Sequence, residues 1–218
     1  MAGPLPEGND MPVDGALPAG VNIGSESRTM SAYVHVPFCR VRCGYCDFNT
    51  YTASELQGAK QSDYADVLIA EIELSASVQR RAGLPKRKLS TVFFGGGTPT
   101  LLPAGDLVRI LAALRSTFDF AGDAEITSEA NPDTVDRDYL EQLRDGGFNR
   151  ISFGMQSAKP HVLAALDRTH NPDNVAKAVS MARAAGFESI SVDLIYGTPG
   201  ESLDNWRETV EAALSLNI

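Results

Sequence analysis

The sequence predicts an α/β fold in which a parallel sheet with crossover helices forms part of a (β/α) barrel. Two observations predict it. Strand-like and helix-like segments alternate five times from Ser31 onward, and that alternation builds parallel sheets. Chemically distinctive residues also sit at or just after each strand: a cysteine loop, Gly-Gly-Gly-Thr, Glu129, Gln156 and Asp193. A ring of such residues at successive strand ends is the barrel pattern. An open doubly wound sheet would gather them at one switch point instead.

The elements follow in order. Residues 1–28, rich in Gly, Pro and small residues without apolar periodicity, are expected to be a disordered tail. The core domain is expected over 31–218. A first strand is expected at Ala32–Val36, where Val34 and Val36 face one way and Tyr33 and His35 the other. The cysteine loop precedes a helix over Asp63–Arg81, with Val67, Leu68, Ile72, Leu74 and Val78 at helical spacing. Leu89–Phe94 reads as a strand broken by Gly95-Gly96-Gly97, and Leu107–Phe118 as an amphipathic helix. Strand Ala124–Ala130 and helix Asp136–Arg144 follow, the helix ending at Gly146-Gly147. Strand Arg150–Gly154 leads to helices Pro160–Leu166 and Asp173–Ala185. Strand Ser189–Tyr196 and helix Leu203–Leu216 complete the series. A closed eightfold barrel takes about 250 residues. Five units in 218 residues imply a partial barrel or a truncated chain whose C-terminal part is missing. Such a chain is expected to aggregate or to load a cofactor poorly, because its last strand leaves an open edge.

Composition removes several function classes. Against 19 Lys and Arg stand 28 Asp and Glu, a net charge of −9 without the broad basic field that nucleic acids require. No apolar run reaches the ~20 residues of a membrane-spanning helix, and no secretory leader opens the sequence. All three cysteines, Cys39, Cys43 and Cys46, lie in one loop. An odd, tightly spaced set is a poor disulfide framework, and its ease of oxidation favours a reducing cytoplasm.

Cys-x3-Cys-x2-Cys suits three corners of a cubane iron–sulfur cluster. A fully protein-ligated cluster takes four cysteines, and this sequence has no fourth. One iron would stay open to a small molecule, and an open coordination position is what separates reactive from structural metal sites. The competing readings are buried free thiols and a Cys3His zinc site that borrows His35, His161 or His170; no histidine has a customary finger spacing. His35 otherwise reads as a satisfied core histidine, and His161 and His170 as surface or helix-start residues.

The Cys-x3-Cys-x-aromatic-Cys loop after a first strand resembles the signature of radical S-adenosylmethionine (SAM) enzymes. The fuller string from Tyr33 to Asn49 is similar to the oxygen-independent coproporphyrinogen III oxidase family, and within it to the heme-chaperone branch. The likeness runs from Ala32 to the end. It rests also on Phe-Gly-Gly-Gly-Thr-Pro-Thr, Glu-Ala-Asn-Pro, Phe-Gly-Met-Gln-Ser and Asp-Leu-Ile-Tyr-Gly-Thr-Pro-Gly. The resemblance implies a 4Fe–4S cluster on Cys39, Cys43 and Cys46, with SAM on the fourth iron. It implies that Gly96, Gly97 and Thr98 meet the methionine end of SAM. Gln156, Arg168 and Asp193 match SAM-contacting positions, and Tyr33 and Tyr45 would flank cluster and adenine. Arg suits a carboxylate and Asp a ribose diol.

Glu129 shares a strand face with Thr127, opposite Ile126. An unpaired carboxylate inside a barrel is costly, so it needs either the cationic groups of SAM or a neighbouring cation such as Arg150. One departure is informative. The decarboxylating enzyme has a further Cys two positions after the third, and here that position is Phe48. The resemblance therefore implies a heme chaperone that passes heme to respiratory proteins. The alternative it implies is oxidative decarboxylation of coproporphyrinogen III through a 5′-deoxyadenosyl radical. A non-catalytic zinc module is the third reading.

Overall fold

A computed structural model of the chain describes residues 12–56, 58 and 60–218. Five parallel strands carry the fold: β1 (Met30–Val36), β2 (Leu89–Gly96), β3 (Phe120–Ala130), β4 (Arg150–Gln156) and β5 (Ser189–Leu194). They lie in the sheet in chain order, β1-β2-β3-β4-β5, and every pairing is parallel. A doubly wound sheet reverses its strand order at a switch point; this one never does. The arrangement is five consecutive units of a partial (β/α) barrel, as the alternation predicts.

The helices are α1 (Tyr64–Arg81), α2 (Ala104–Thr117), α3 (Arg137–Asp145), α4 (Pro160–Ala165), α5 (Asp173–Ala184) and α6 (Leu203–Ser215). Side chains alternate along a strand, so the sheet has two chemically distinct faces. Val34, Val36, Val92, Phe94, Ile126, Ile151 and Phe153 form the apolar set and are at most 4% exposed. They share one core with Leu107, Ile110 and Leu111 of α2, Leu140 and Leu143 of α3, and Val175, Ala178 and Ala182 of α5. The opposite face bears Tyr33, Phe93, Thr127, Glu129, Arg150, Ser152, Ser191 and Asp193. Parallel register aligns these across strands, Tyr33 with Phe93, Phe93 with Thr127, Glu129 with Ser152, and Gly154 with Asp193. Local caps agree with the pattern: Asp136 accepts from the Tyr139 amide at α3, and Ser202 and Asn205 cap α6 reciprocally.

Several boundaries move. β2 continues through Gly95 and Gly96 because Val36 pairs with Gly96; pairing across the sheet overrides glycine's poor strand propensity. β3 begins at Phe120, where Leu89 pairs with Phe120. β5 stops at Leu194, the last residue matched by β4. Of the expected tail, residues 1–11 lie outside the described residues. Residues 12–28 run in turns with one 3-10 turn at Ser25–Ser27, and Arg81 donates to the Asp14 carbonyl at 3.0 Å.

β5 is an edge strand, and Tyr196, Leu203 and Leu214 just beyond it are each more than 70% exposed.

Candidate cofactor site

The site begins in the loop that leaves β1. Phe38 is buried, edge-on to Tyr64 at 5.2 Å between ring centroids, which anchors the chain just before the first cysteine. The loop then closes on itself. Cys39 N–H donates to the Tyr51 carbonyl at 2.9 Å and Tyr51 N–H to the Pro37 carbonyl at 2.7 Å, while Cys46 N–H donates to the Cys43 carbonyl at 3.0 Å. Arg42 lies across the loop's base, donating to the Thr50 carbonyl at 2.6 Å and pairing with Glu55 at 3.1 Å. Gly44 N–H donates to the Leu166 carbonyl at the end of α4, which draws the loop to the segment that contains Arg168.

The loop after β2 is docked against this one. Gly97 N–H donates to the Val36 carbonyl and Thr98 N–H to the Phe38 carbonyl, both at 2.8 Å. Gly97 sits so close that a Cβ there would lie 2.5 Å from the Phe38 carbonyl oxygen and 2.9 Å from Cys39 Sγ. Gly96, at φ 115°, adopts backbone that glycine tolerates best. Its N–H donates to Glu129 Oε2 at 3.3 Å. All three amides are thus used internally, so the loop can offer carbonyl oxygens, which suit a ligand amine.

The other strands supply the floor and far wall. β4 ends in a register shift between Gly154 and Gln156, and Gln156 has φ 61°. That is an uncommon conformation for a side chain with a Cβ, and in structures it gathers at ligand sites. Arg168 donates to the Gly154 carbonyl at 3.0 Å and reaches Cys43 Sγ at 3.6 Å, while its buried Nε has no partner. Asp193 accepts from Ser152 Oγ at 3.1 Å. Ser152 accepts in turn from Ser191, and Ser191 from Arg150.

Together these elements enclose a cavity of about 680 Å³, ordinary for a small-molecule site. All twelve residues singled out from the sequence line it: Tyr33, Cys39, Cys43, Tyr45, Cys46, Gly96, Gly97, Thr98, Glu129, Gln156, Arg168 and Asp193. The open question over Glu129 resolves at one point. Arg150 pairs with Glu125 at 3.4 Å and bonds Thr127 and Ser191, so it is committed elsewhere. Burial pushes the Glu129 carboxyl above its usual range, the nearby Asp193 charge adds to this, and the Gly96 N–H opposes it. Burial likewise pushes the Cys39 thiol up, and the neighbouring thiols contribute. Burial thus favours the neutral form of both groups in the ligand-free protein.

The donor set fits an iron–sulfur cluster. Three thiols, each half-buried, share one cavity wall, while none of the three histidines lines the cavity. His35 bonds the Asn49 carbonyl at 2.7 Å and the Tyr33 hydroxyl at 3.1 Å, and His161 is bonded to Asn205. Among the described residues no three Cys, His, Asp or Glu side chains converge on a single-ion position. His170 corrects an expectation: it is 5% exposed, and burial holds it below the usual histidine range. Sequence reasoning missed Phe93, Ser152 and Ser191, whose signal was the strand alternation they share with Tyr33, Glu129 and Asp193.

Comparison with known proteins gives this geometry its context. A family model described as the Radical SAM superfamily matches residues 33–213. Heme chaperone HemW of Mycobacterium tuberculosis is 46% identical over 186 residues, spanning 85% of this chain and 46% of that protein. Oxygen-independent coproporphyrinogen III oxidase of Escherichia coli is 35% identical over 190 residues, spanning 87% of this chain and 40% of that protein. The solved structure of coproporphyrinogen III oxidase (HemN) from Escherichia coli, a radical SAM enzyme by its own description, superposes with a TM-score of 0.72. It is 34% identical and covers 87% of this chain and 42% of that chain. The chain spans about half the length of the curated relatives it matches. With the family model running from the first strand into the last helix, and its strand-end cavity built around the cysteine loop, the chain belongs to the radical SAM superfamily.

Proposed function

We propose that this protein is a cytoplasmic heme chaperone that holds a 4Fe–4S cluster and SAM and delivers heme to respiratory proteins. Family membership implies the cluster and SAM. The observation that supports the chaperone reading is the similarity to heme chaperones at 46% identity, with Phe48 where the decarboxylating enzyme has cysteine. Among the described residues no helix is long and apolar enough to cross a membrane.

Each residue has a role in this reading. Cys39, Cys43 and Cys46 hold the cluster as thiolates, giving up their protons as iron binds. When bound, cluster and SAM supply reductive one-electron chemistry that side chains lack. Glu129 holds the ligand's cationic groups, and the carbonyls of the Gly96–Thr98 loop accept from its amine. Arg168 takes the carboxylate with its free donor. Asp193, oriented by Ser152, accepts from the ribose hydroxyls, and Gln156 closes the cavity between them. Tyr33 and Tyr45 exclude water from the adenine side.

A second reading, oxidative decarboxylation of coproporphyrinogen III, is supported by the 0.72 TM-score to HemN. One experiment separates the two. The protein is reconstituted anaerobically, checked for iron and sulfide, and given reductant, SAM and coproporphyrinogen III. The expected result is no decarboxylated product, with heme binding by a parallel sample. Product at catalytic turnover would make it a decarboxylase despite Phe48. Stoichiometric zinc in place of iron and sulfide would remove both readings.

A further inference from the structure

The cysteine loop exposes apolar surface along the cavity, uncovered among the described residues. Phe48 is 56% exposed and Val41 45% exposed, and both line the cavity. A large aromatic held in water beside a cavity signals a binding surface. Phe48 is also held in place. Its ring lies 5.5 Å from the His35 ring, and both His35 nitrogens are committed, to Tyr33 and to Asn49. The ring is therefore braced from behind and open in front.

A cation stands beside it. Arg40 lines the same cavity and is exposed, and among the described residues it makes no ion pair or side-chain hydrogen bond. Arg42, outside the cavity, is tied to Glu55 and the Thr50 carbonyl, and Arg168, deeper in the cavity, donates to the Gly154 carbonyl and reaches Cys43 Sγ, keeping only its buried Nε free. Asp47 and Asp167 also line the cavity and are exposed, and Arg40 is the exposed cation that shares this lining with Phe48. Flat apolar area with a cation at its margin complements a flat apolar ligand with a carboxylate at its edge.

We propose that Phe48 and Val41 form a shelf for the face of a tetrapyrrole, and that Arg40 binds one of its propionates. The assignment rests on the heme-binding reading above and names where that ligand first meets this domain. It also gives Phe48 a positive function: where a cysteine would present a reactive sulfur, phenylalanine presents a stacking face.

The test uses cluster-loaded protein and titrates heme, coproporphyrin III and a fully esterified porphyrin by absorbance. Phe48→Ala is expected to weaken all three about tenfold, the ordinary worth of one aromatic stacking face. Phe48→Trp is expected to bind as wild type does. Arg40→Gln is expected to weaken heme and coproporphyrin but leave the ester unchanged. Iron, sulfide and SAM affinity should stay at wild-type values in all variants. If wild type binds heme and both Phe48→Ala and Arg40→Gln bind it equally well, the shelf is wrong while the chaperone reading stands. If Phe48→Ala loses SAM instead of porphyrin, the shelf belongs to adenine and the proposal falls. If wild type binds no tetrapyrrole, the chaperone reading fails and the shelf with it.

Discussion

Gly97→Ala is expected to abolish cluster assembly without touching a thiol. The new methyl group would sit 2.5 Å from the Phe38 carbonyl oxygen and 2.9 Å from Cys39 Sγ, inside any tolerable contact. Neither neighbour can yield cheaply. The Phe38 carbonyl accepts from Thr98 N–H at 2.8 Å, and Cys39 is pinned through its own N–H to the Tyr51 carbonyl. Overpacking of this kind costs about 1–3 kcal/mol. That is a tolerable loss for the fold but not for the site, because the strain is released by moving the loop that presents Cys39. Iron and sulfide per chain should fall to the level of a Cys39→Ala variant, while circular dichroism stays that of a folded α/β protein. Gly105→Ala is the control, since a Cβ there meets nothing within 4 Å. Full cluster content in Gly97→Ala would show that the two loops do not have to dock this closely.

This dependence explains what could be read from the sequence and what could not. Cys39, Cys43 and Cys46 were legible because ligand chemistry depends on spacing within one loop. Glu129 and Asp193 were legible because a charge that interrupts an apolar strand needs a partner. The register that puts Glu129 beside Ser152, and Asp193 beside Gly154, comes from pairing between distant segments. No local pattern encodes it, which is why Ser152 and Ser191 looked like ordinary strand serines. The same holds for β2, whose glycines look like a break until Val36 supplies a partner. His170 misled for a related reason. Its place just before the Asp173–Ala185 helix read as surface or helix start, yet Arg168 N–H is tied to the Leu163 carbonyl and Asn174 N–H to the Asn171 carbonyl. The short segment between them turns the imidazole inward.

Glu129→Gln is expected to raise the stability of the ligand-free protein and to remove most of its affinity for SAM. The two effects have one origin. Burial lifts the Glu129 carboxyl in the folded state above its unfolded value, with Asp193 adding to the shift and the Gly96 N–H opposing it. The folded state therefore binds the proton more tightly than the unfolded chain does. Its contribution is a penalty that builds as pH rises from the unfolded carboxylate range, about 4.3, to the raised folded value, and that persists at neutral pH. Glutamine has no charge to desolvate and keeps an oxygen for the Gly96 N–H, so the variant should melt higher than wild type at pH 7. The difference should vanish on acidification below the unfolded carboxylate range. Binding runs the other way. A cationic ligand group opposite Glu129 needs the ionised form, so SAM affinity should fall as pH drops, starting above the ordinary carboxylate range. Removing one member of such a partly buried charge pair costs about 2–5 kcal/mol, or roughly 30-fold and more in affinity. Calorimetric titration of SAM across pH, with melting curves of both proteins, reads both signs together. A variant that is less stable at pH 7 and binds SAM normally would mean that Glu129 braces the Gly96 loop and does not face the ligand.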